Sequence, residues 1–177
     1  MTEPRSPRVP ESTPQLVLRE IQEEDAPFIL KLYSDPSFIK NIGDRGVHDL
    51  PSAREFIHSG PRASYRTHGF GLFLALTRDG AEPVGVAGLV RRDGLDHADL
   101  GFAFLPPFWG RGYATESAAA VLEFADALEV SPVLAIVAPS NVGSVRVVEK
   151  IGMRRDGNVQ LPGGSTELLL FTTVEIP

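Results

Sequence analysis

The stretch Ala98-Asp99-Leu100-Gly101-Phe102-Ala103-Phe104-Leu105-Pro106-Pro107-Phe108-Trp109-Gly110-Arg111-Gly112-Tyr113-Ala114-Thr115-Glu116 changes its pattern twice. Alternation of period two predicts a strand over Ala98–Leu105. Ala98, Leu100, Phe102 and Phe104 then share one face, and His97, Asp99, Gly101, Ala103 and Leu105 the other. One face is greasy; the other is small and carries a single carboxylate. Two prolines and a glycine-rich turn follow, and helical spacing predicts a helix from Thr115 to Leu128 with Ala118, Val121, Leu122, Ala125 and Leu128 inward. A helix that follows a strand in this way is a crossover, so the β-branched run Val133–Val137 is expected to lie parallel to the first strand.

Working outward, Phe70–Leu76 and Val84–Val90 flank Asp79-Gly80, and Asp93-Gly94 leads into the Asp99 strand. Asp-Gly between apolar runs is a strong hairpin signal, so three consecutive antiparallel strands are predicted. Upstream, Leu16–Ile21 reads as a strand and the acidic turn Glu23-Glu24-Asp25 opens a helix to Tyr33 that Asp35-Pro36 ends. Asn41–Leu50 reads as a loop and a binding-site wall, and Pro51 with the Ser52/Glu55 capping pair starts a second short helix that turns Phe56 and Ile57 inward. Downstream, a helix over Val142–Ile151 is capped by Asn141 or Ser140 and followed by Gly152, and Met153–Gln160 and Glu167–Ile176 close the chain as strands. The prediction is a mixed α/β layer fold: a mostly antiparallel sheet of about seven strands flanked by about four helices.

Residues 1–14, with Pro4, Pro7, Pro10 and Pro14, read as an extended tail, and 15–177 as one domain. The chain has 177 residues, 42% hydrophobic and 23% charged, which fits one globular unit. It has no cysteine, which rules out disulfides, thiolate metal sites and a cysteine nucleophile. Its net charge of -6 argues against nucleic acid as a partner and mildly favours a cationic ligand. No apolar run reaches the roughly 20 residues of a membrane helix, and no secretory core opens the chain, so a cytoplasmic protein without a membrane partner is expected.

Three places carry candidate chemistry. Glycines at 110 and 112 let a ligand approach the backbone, and the free N–H groups of a helix start suit a phosphate or pyrophosphate. A tight strand-to-helix turn would use the same glycines. Two familiar phosphate loops are excluded, since Tyr113 and Ala114 follow Gly112 where a P-loop has Lys and Ser/Thr, and Thr115 replaces a small residue of the dinucleotide fingerprint. Asp99 is placed to take a proton from an amine, directly or through water, or to stand as a solvated edge carboxylate. Asn141 and Ser144 share a helix face at its N-terminal end, where capping is their commoner use.

His48, His58, His68 and His97 fall in different elements, so no metal site is expected. Arg91-Arg92 and Arg154-Arg155 read as solvated strand ends or as contacts for a ribose phosphate, and Phe102, Phe104, Phe108 and Trp109 as core and pocket wall.

Together, Pro106-x-x-Trp109-Gly110-Arg111-Gly112-Tyr113-Ala114-Thr115-Glu116 and Asn141-x-x-Ser144-x-Arg146-x-x-Glu149-Lys150-x-Gly152-Met153 resemble the GNAT superfamily of acyl-CoA-dependent N-acyltransferases, more closely its ribosomal-protein (RimJ/RimL-like) branch. The resemblance spans about Leu16 to Glu175. Gly112 and Ala114 match the last defined positions of the superfamily's Gln/Arg-x-x-Gly-x-Gly/Ala pattern, and Trp109 stands where Gln or Arg would be.

The resemblance implies the GNAT fold and direct acetyl transfer from acetyl-CoA, without a covalent enzyme intermediate or a metal. It implies pantetheine against the backbone at Phe104 and Leu105, and pyrophosphate on Gly110, Arg111, Gly112, Tyr113, Ala114 and Thr115. Asp99 stands where several relatives carry a glutamate base. Asn141 would bond the cofactor, and Ser144 would bind it and protonate the sulfur, because no tyrosine falls at the family's usual acid position. The acceptor implied is a protein N-terminal α-amine. A small-molecule amine such as a polyamine, amino acid or antibiotic is the alternative, or a non-catalytic acyl-CoA sensor, in a monomer or homodimer.

Overall fold

The computed structural model describes residues 8–174. Of the proline-rich segment, Met1–Pro7 lie outside the described residues, as do 175–177 at the end of the last predicted strand. Within 8–14, Pro10 and Thr13 are buried and Val9 packs against the core.

Seven strands form one sheet, β1 (Leu16–Glu20), β2 (Leu72–Thr77), β3 (Pro83–Val90), β4 (Asp99–Phe104), β5 (Leu134–Val137), β6 (Arg154–Val159) and β7 (Leu168–Thr172), in the order β1-β2-β3-β4-β5-β7-β6. All pairings are antiparallel except β4 with β5, where α5 (Tyr113–Ala127) makes the crossover as predicted. Its buried face is Tyr113, Ser117, Ala118, Val121, Phe124 and Ala125; Leu122 and Leu128 pack against the same core but are only partly buried, and Phe124 joins the inward face.

The helices are more numerous than the sequence suggests. α1 (Ala26–Tyr33) ends where expected, but Pro36 starts a new helix, α2 (Pro36–Asn41). Asp35 caps it, accepting from Ser37 N at 2.9 Å, and proline suits the first turn because its missing N–H would have no partner there. α3 (Leu50–Ile57) is capped by Asp49, with Ser52 completing the box, so Ser52 is the third helical residue and not the cap. A wide turn at His58–Arg62 carries the chain directly into α4 (Ala63–His68). α6 (Val142–Lys150) is capped by Asn141, as predicted.

Two hydrophobic layers sandwich the sheet. Phe73, Ala75, Leu100 and Phe104 pack with α5, while Leu74, Val86 and Leu105 pack with α1–α3. The alternation predicted for β4 is the one observed, with Ala98, Leu100, Phe102 and Phe104 on the α5 side and Ala103 and Leu105 opposite. An irregularity in register beside Ala75/Leu76 inserts Val84 as an extra residue on β3, which puts Val84 and Ala87 on the same face.

The parallel pair at the centre positions the site. β4 and β5 pair through a single register position, Asp99↔Leu134, and Leu134 N–H donates to Ala98 O at 2.9 Å. Beyond it the strands part, because β5 continues along β7 through Val137↔Leu169 while β4 stays with β3 through Phe104↔Gly85.

Candidate active site

The opening between β4 and β5 is a cleft of about 530 Å³. Phe102, Ala103 and Phe104 of β4 form one wall and Ser140–Ser144 with Val147 the facing one; Phe108–Gly110 and Gly112–Thr115 close one end and α2, through Ser37, Phe38 and Asn41, the other. Of the predicted cofactor residues, Phe104, Gly110, Gly112, Tyr113, Ala114, Thr115, Asn141 and Ser144 line it. The cluster Phe102, Phe104, Phe108 and Trp109 is pocket wall, as expected. Ser37 and Phe38 were not legible as site residues, although the Asp35-Pro36-Ser37 run is a helix-start signal that would have found α2.

Backbone groups face the opening for a simple reason. Leu105 N–H donates to Val84 O at 3.1 Å and Leu134 N–H to Ala98 O, so odd-numbered residues of β4 ladder to β3 and even-numbered ones point toward β5. Where β5 has turned away, Phe102 and Phe104 present strand hydrogen-bonding groups to the cleft. The Phe104 carbonyl accepts from Trp109 Nε1 at 2.7 Å. Leu105, by contrast, spends its N–H on β3 and buries its side chain under α1–α3, which takes it away from the cleft.

At the closed end the chain turns sharply. Gly110 and Gly112 have φ of +76° and +80°, a region that side-chain-bearing residues rarely adopt. The first intrahelical bond of α5 runs from Glu116 N to Gly112 O at 3.0 Å. The N–H groups of Tyr113, Ala114 and Thr115 therefore lie before the first rung, at the positive end of a 15-residue helix. The Arg111 guanidinium lies over the Phe108 ring at 5.3 Å and does not line the cleft. The turn is braced from behind: Gln15 donates its backbone N–H to Glu116 Oε1 at 2.7 Å and its side-chain amide to Glu116 Oε2 at 2.8 Å and Arg111 O at 3.2 Å.

On the facing wall, Asn141 Oδ1 accepts from Ser144 N at 3.2 Å, so Asn141 is a helix cap and the Ser144 hydroxyl is left for the cleft. Of the tyrosines, Tyr113 lines the cleft; Tyr33 packs on Phe38 and Phe56, and the Tyr65 hydroxyl bonds Ile21 N and Leu72 O.

Asp99 lies at the apex, where β4 and β5 still pair, and is not part of the lining. It is 1% exposed, which excludes the solvated edge carboxylate. Arg92, two residues past β3, donates Nε–H to Asp99 Oδ1 at 2.8 Å; of the Arg91-Arg92 pair read as solvated strand ends or phosphate contacts, Arg91 is exposed while Arg92 is held in this ion pair. Asp99 Oδ2 is the one buried side-chain polar atom without a hydrogen-bond partner among the described residues. Burial pushes the carboxyl above its ordinary value, and the positive charges of Arg92 and Arg45 oppose it without reversing the direction. No cluster of three or more potential metal ligands occurs among the described residues; His48 pairs with Asp44 and His58 with Glu23. No helix among them is long and apolar enough to cross a membrane.

A splayed parallel strand pair with a glycine turn and helix start at its mouth defines an acyltransferase class, and the chain matches the acetyltransferase (GNAT) domain family over residues 15–154. It belongs to that family and is an acetyltransferase. An uncharacterized N-acetyltransferase of Bacillus subtilis (strain 168), YnaD, is 29% identical over 147 residues, covering 82% of this chain and 83% of that protein. The crystal structure of an acetyltransferase from Agrobacterium tumefaciens matches with a TM-score of 0.78 at 25% identity, covering 99% of this chain and 96% of that one. At the level of fold alone, RimL, a ribosomal α-N-protein acetyltransferase solved with coenzyme A, matches with a TM-score of 0.78 at 16% identity, covering 93% and 96% of the two chains. An aminoglycoside acetyltransferase solved with coenzyme A and kanamycin does so at 0.71 and 19%, covering 89% and 93%.

Proposed function

We propose that the protein transfers the acetyl group of acetyl-CoA directly to the α-amine of a polypeptide N-terminus. The observation that carries the acceptor class is that, among the described residues, no charged side chain lines the cleft. A polyamine or aminoglycoside presents several ammonium groups, each costly to desolvate without a carboxylate beside it. An α-amine presents one, and its ordinary pKa of about 7.7–8.0 leaves a fraction neutral near pH 7.

The cradle at Gly110–Thr115 suits the pyrophosphate, through orphan N–H groups and the positive end of α5. Phe102 and Phe104 offer strand bonds to the pantetheine, and an N–H beside the reacting carbonyl would stabilise its developing negative charge. The amine nitrogen bonds to the carbonyl carbon as the carbon–sulfur bond breaks. Asp99 takes the proton lost by nitrogen on Oδ2, through a water held over Gly101, since the carboxylate stands behind the lining. Ser144 gives a proton to the departing sulfur and regains one from solvent.

Thiol release with a panel of acceptors tests this reading. Release is expected with peptides that carry one free α-amine and only background release with N-blocked peptides, spermidine or kanamycin. Faster turnover of the polyamine or aminoglycoside would overturn the acceptor class, and acetyl-CoA binding without release for any amine would show a sensor instead of an enzyme.

A further inference from the structure

Two loops bring guanidinium groups to the apex of the cleft, around its buried carboxylate, and a third packs beside them. The α2–α3 loop carries Arg45, whose Nη2 reaches Ile42 O at only 3.5 Å, and Ile42 itself lines the cleft. The β3–β4 loop begins at Arg92, whose bond to Asp99 uses Nε and leaves both terminal nitrogens free of bonds among the described residues. The β6–β7 loop closes over the same side: a Cβ on Gly94 would come within 2.4 Å of Pro162 Cδ, so those two loops touch. Arg45 lies within electrostatic reach of Arg92, Asp99 and Tyr33. Asp44, its neighbour, is engaged elsewhere, accepting from Gly46 N at 2.8 Å and facing His48 at 3.4 Å.

Arg92 meets Asp99 through Nε alone and, among the described residues, Arg45 makes only its long bond to Ile42 O, so both guanidinium groups have donors to spare. Arg92 is only 22% exposed, so its remaining donors are poorly served by bulk water and gain from a charged acceptor. A guanidinium fork matches a planar carboxylate in particular.

We propose that Arg45 and Arg92 form a carboxylate-binding subsite for the acceptor, so that the preferred N-terminus begins with an acidic residue. The inference rests on the α-amine reading above and adds the side chain that travels with the amine. Asp99 and the two arginines then divide the labour: the carboxylate faces the amine and the arginines face the acid. An acidic first residue on the acceptor would occupy the donors that Asp99 leaves unused.

The test compares peptides that differ only in Asp or Asn at the first position, with acetyl-CoA saturating. Wild type should show roughly tenfold higher kcat/KM for the Asp peptide, expressed in KM. Arg45→Ala should remove that preference, and Arg45→Lys should restore part of it, with unchanged melting temperatures as the control for folding. Equal kcat/KM for the two peptides in wild type, or a preference that survives Arg45→Ala, would overturn the subsite. Free glutamate and its α-amide separate this from the reading beneath it. Turnover of the free acid but of no peptide would uphold the carboxylate subsite and overturn the polypeptide acceptor; turnover of Asp and Asn peptides alike would do the reverse.

Discussion

Trp109 and Phe104 are locked together across the mouth of the cleft: the indole Nε1–H donates to the Phe104 carbonyl at 2.7 Å, while the ring itself is 53% exposed. That carbonyl is one of the strand groups left open where β5 leaves β4, so the tryptophan sits on an atom that the pantetheine would use in the proposed binding mode. A carbonyl oxygen has a second lone pair, and the two donors can share it only with some shift of the ring. Trp109 is also the single tryptophan of the chain. Saturating coenzyme A should therefore change the intrinsic fluorescence intensity or wavelength. An unaltered spectrum, with binding verified by calorimetry, would place the pantetheine elsewhere.

Gln15 and Glu116, 101 positions apart, join the chain before β1 to the first turn of α5. Of the three hydrogen bonds from Gln15 that hold the back of the glycine turn, two come from its side chain, and each is worth about 1 kcal/mol net. Gln15→Ala should weaken acetyl-CoA binding by roughly fivefold or more, with little change in kcat at saturation. An unchanged Kd by calorimetry would show that the brace is structural only.

Gly112 begins α5 with φ of +80°. A β-branched residue there costs about 1–2 kcal/mol or more in backbone strain, and its Cβ would meet Gln15 Nε2 at 4.0 Å, disturbing the brace behind the turn proposed to take the pyrophosphate. Gly112→Val should lower the melting temperature by a few degrees and remove measurable affinity for acetyl-CoA. Wild-type affinity in a folded variant would mean that the cradle lies elsewhere.

In its proposed role as base, Asp99 would set the pH dependence. Burial raises its pKa above the usual carboxylate value despite Arg92, so the carboxyl gains a proton at a higher pH than a solvated aspartate would. Because a protonated carboxyl cannot accept the amine proton, kcat should fall as pH drops through that raised value and recover above it. Asp99→Asn keeps an acceptor for Arg92 but removes the base; it should lower kcat by roughly 100-fold and abolish the acid limb, with the KM for acetyl-CoA nearly unchanged. Persistence of the same limb in the variant would assign the proton to another group.

How much of this was legible in the chain depends on how local the cause is. The β4 alternation, the crossover helix and the Asn141 cap follow from neighbours within one element, and each lies where the pattern puts it. Pro36 misled because proline both stops one helix and starts the next, and only the cap at Asp35 decides between them. The Arg92–Asp99 pair was hidden although its members are only seven positions apart, because a hairpin brings them together through β3–β4 register and not through periodicity. Gln15–Glu116 is a tertiary contact that no local pattern announces.

The central claim is most directly tested by where the acetyl group lands. A peptide with a free N-terminus and one internal lysine, incubated with the enzyme and acetyl-CoA and sequenced by tandem mass spectrometry, should carry a single acetyl on the N-terminal nitrogen. Acetylation confined to the lysine side chain, or none above the enzyme-free control, would contradict the assignment.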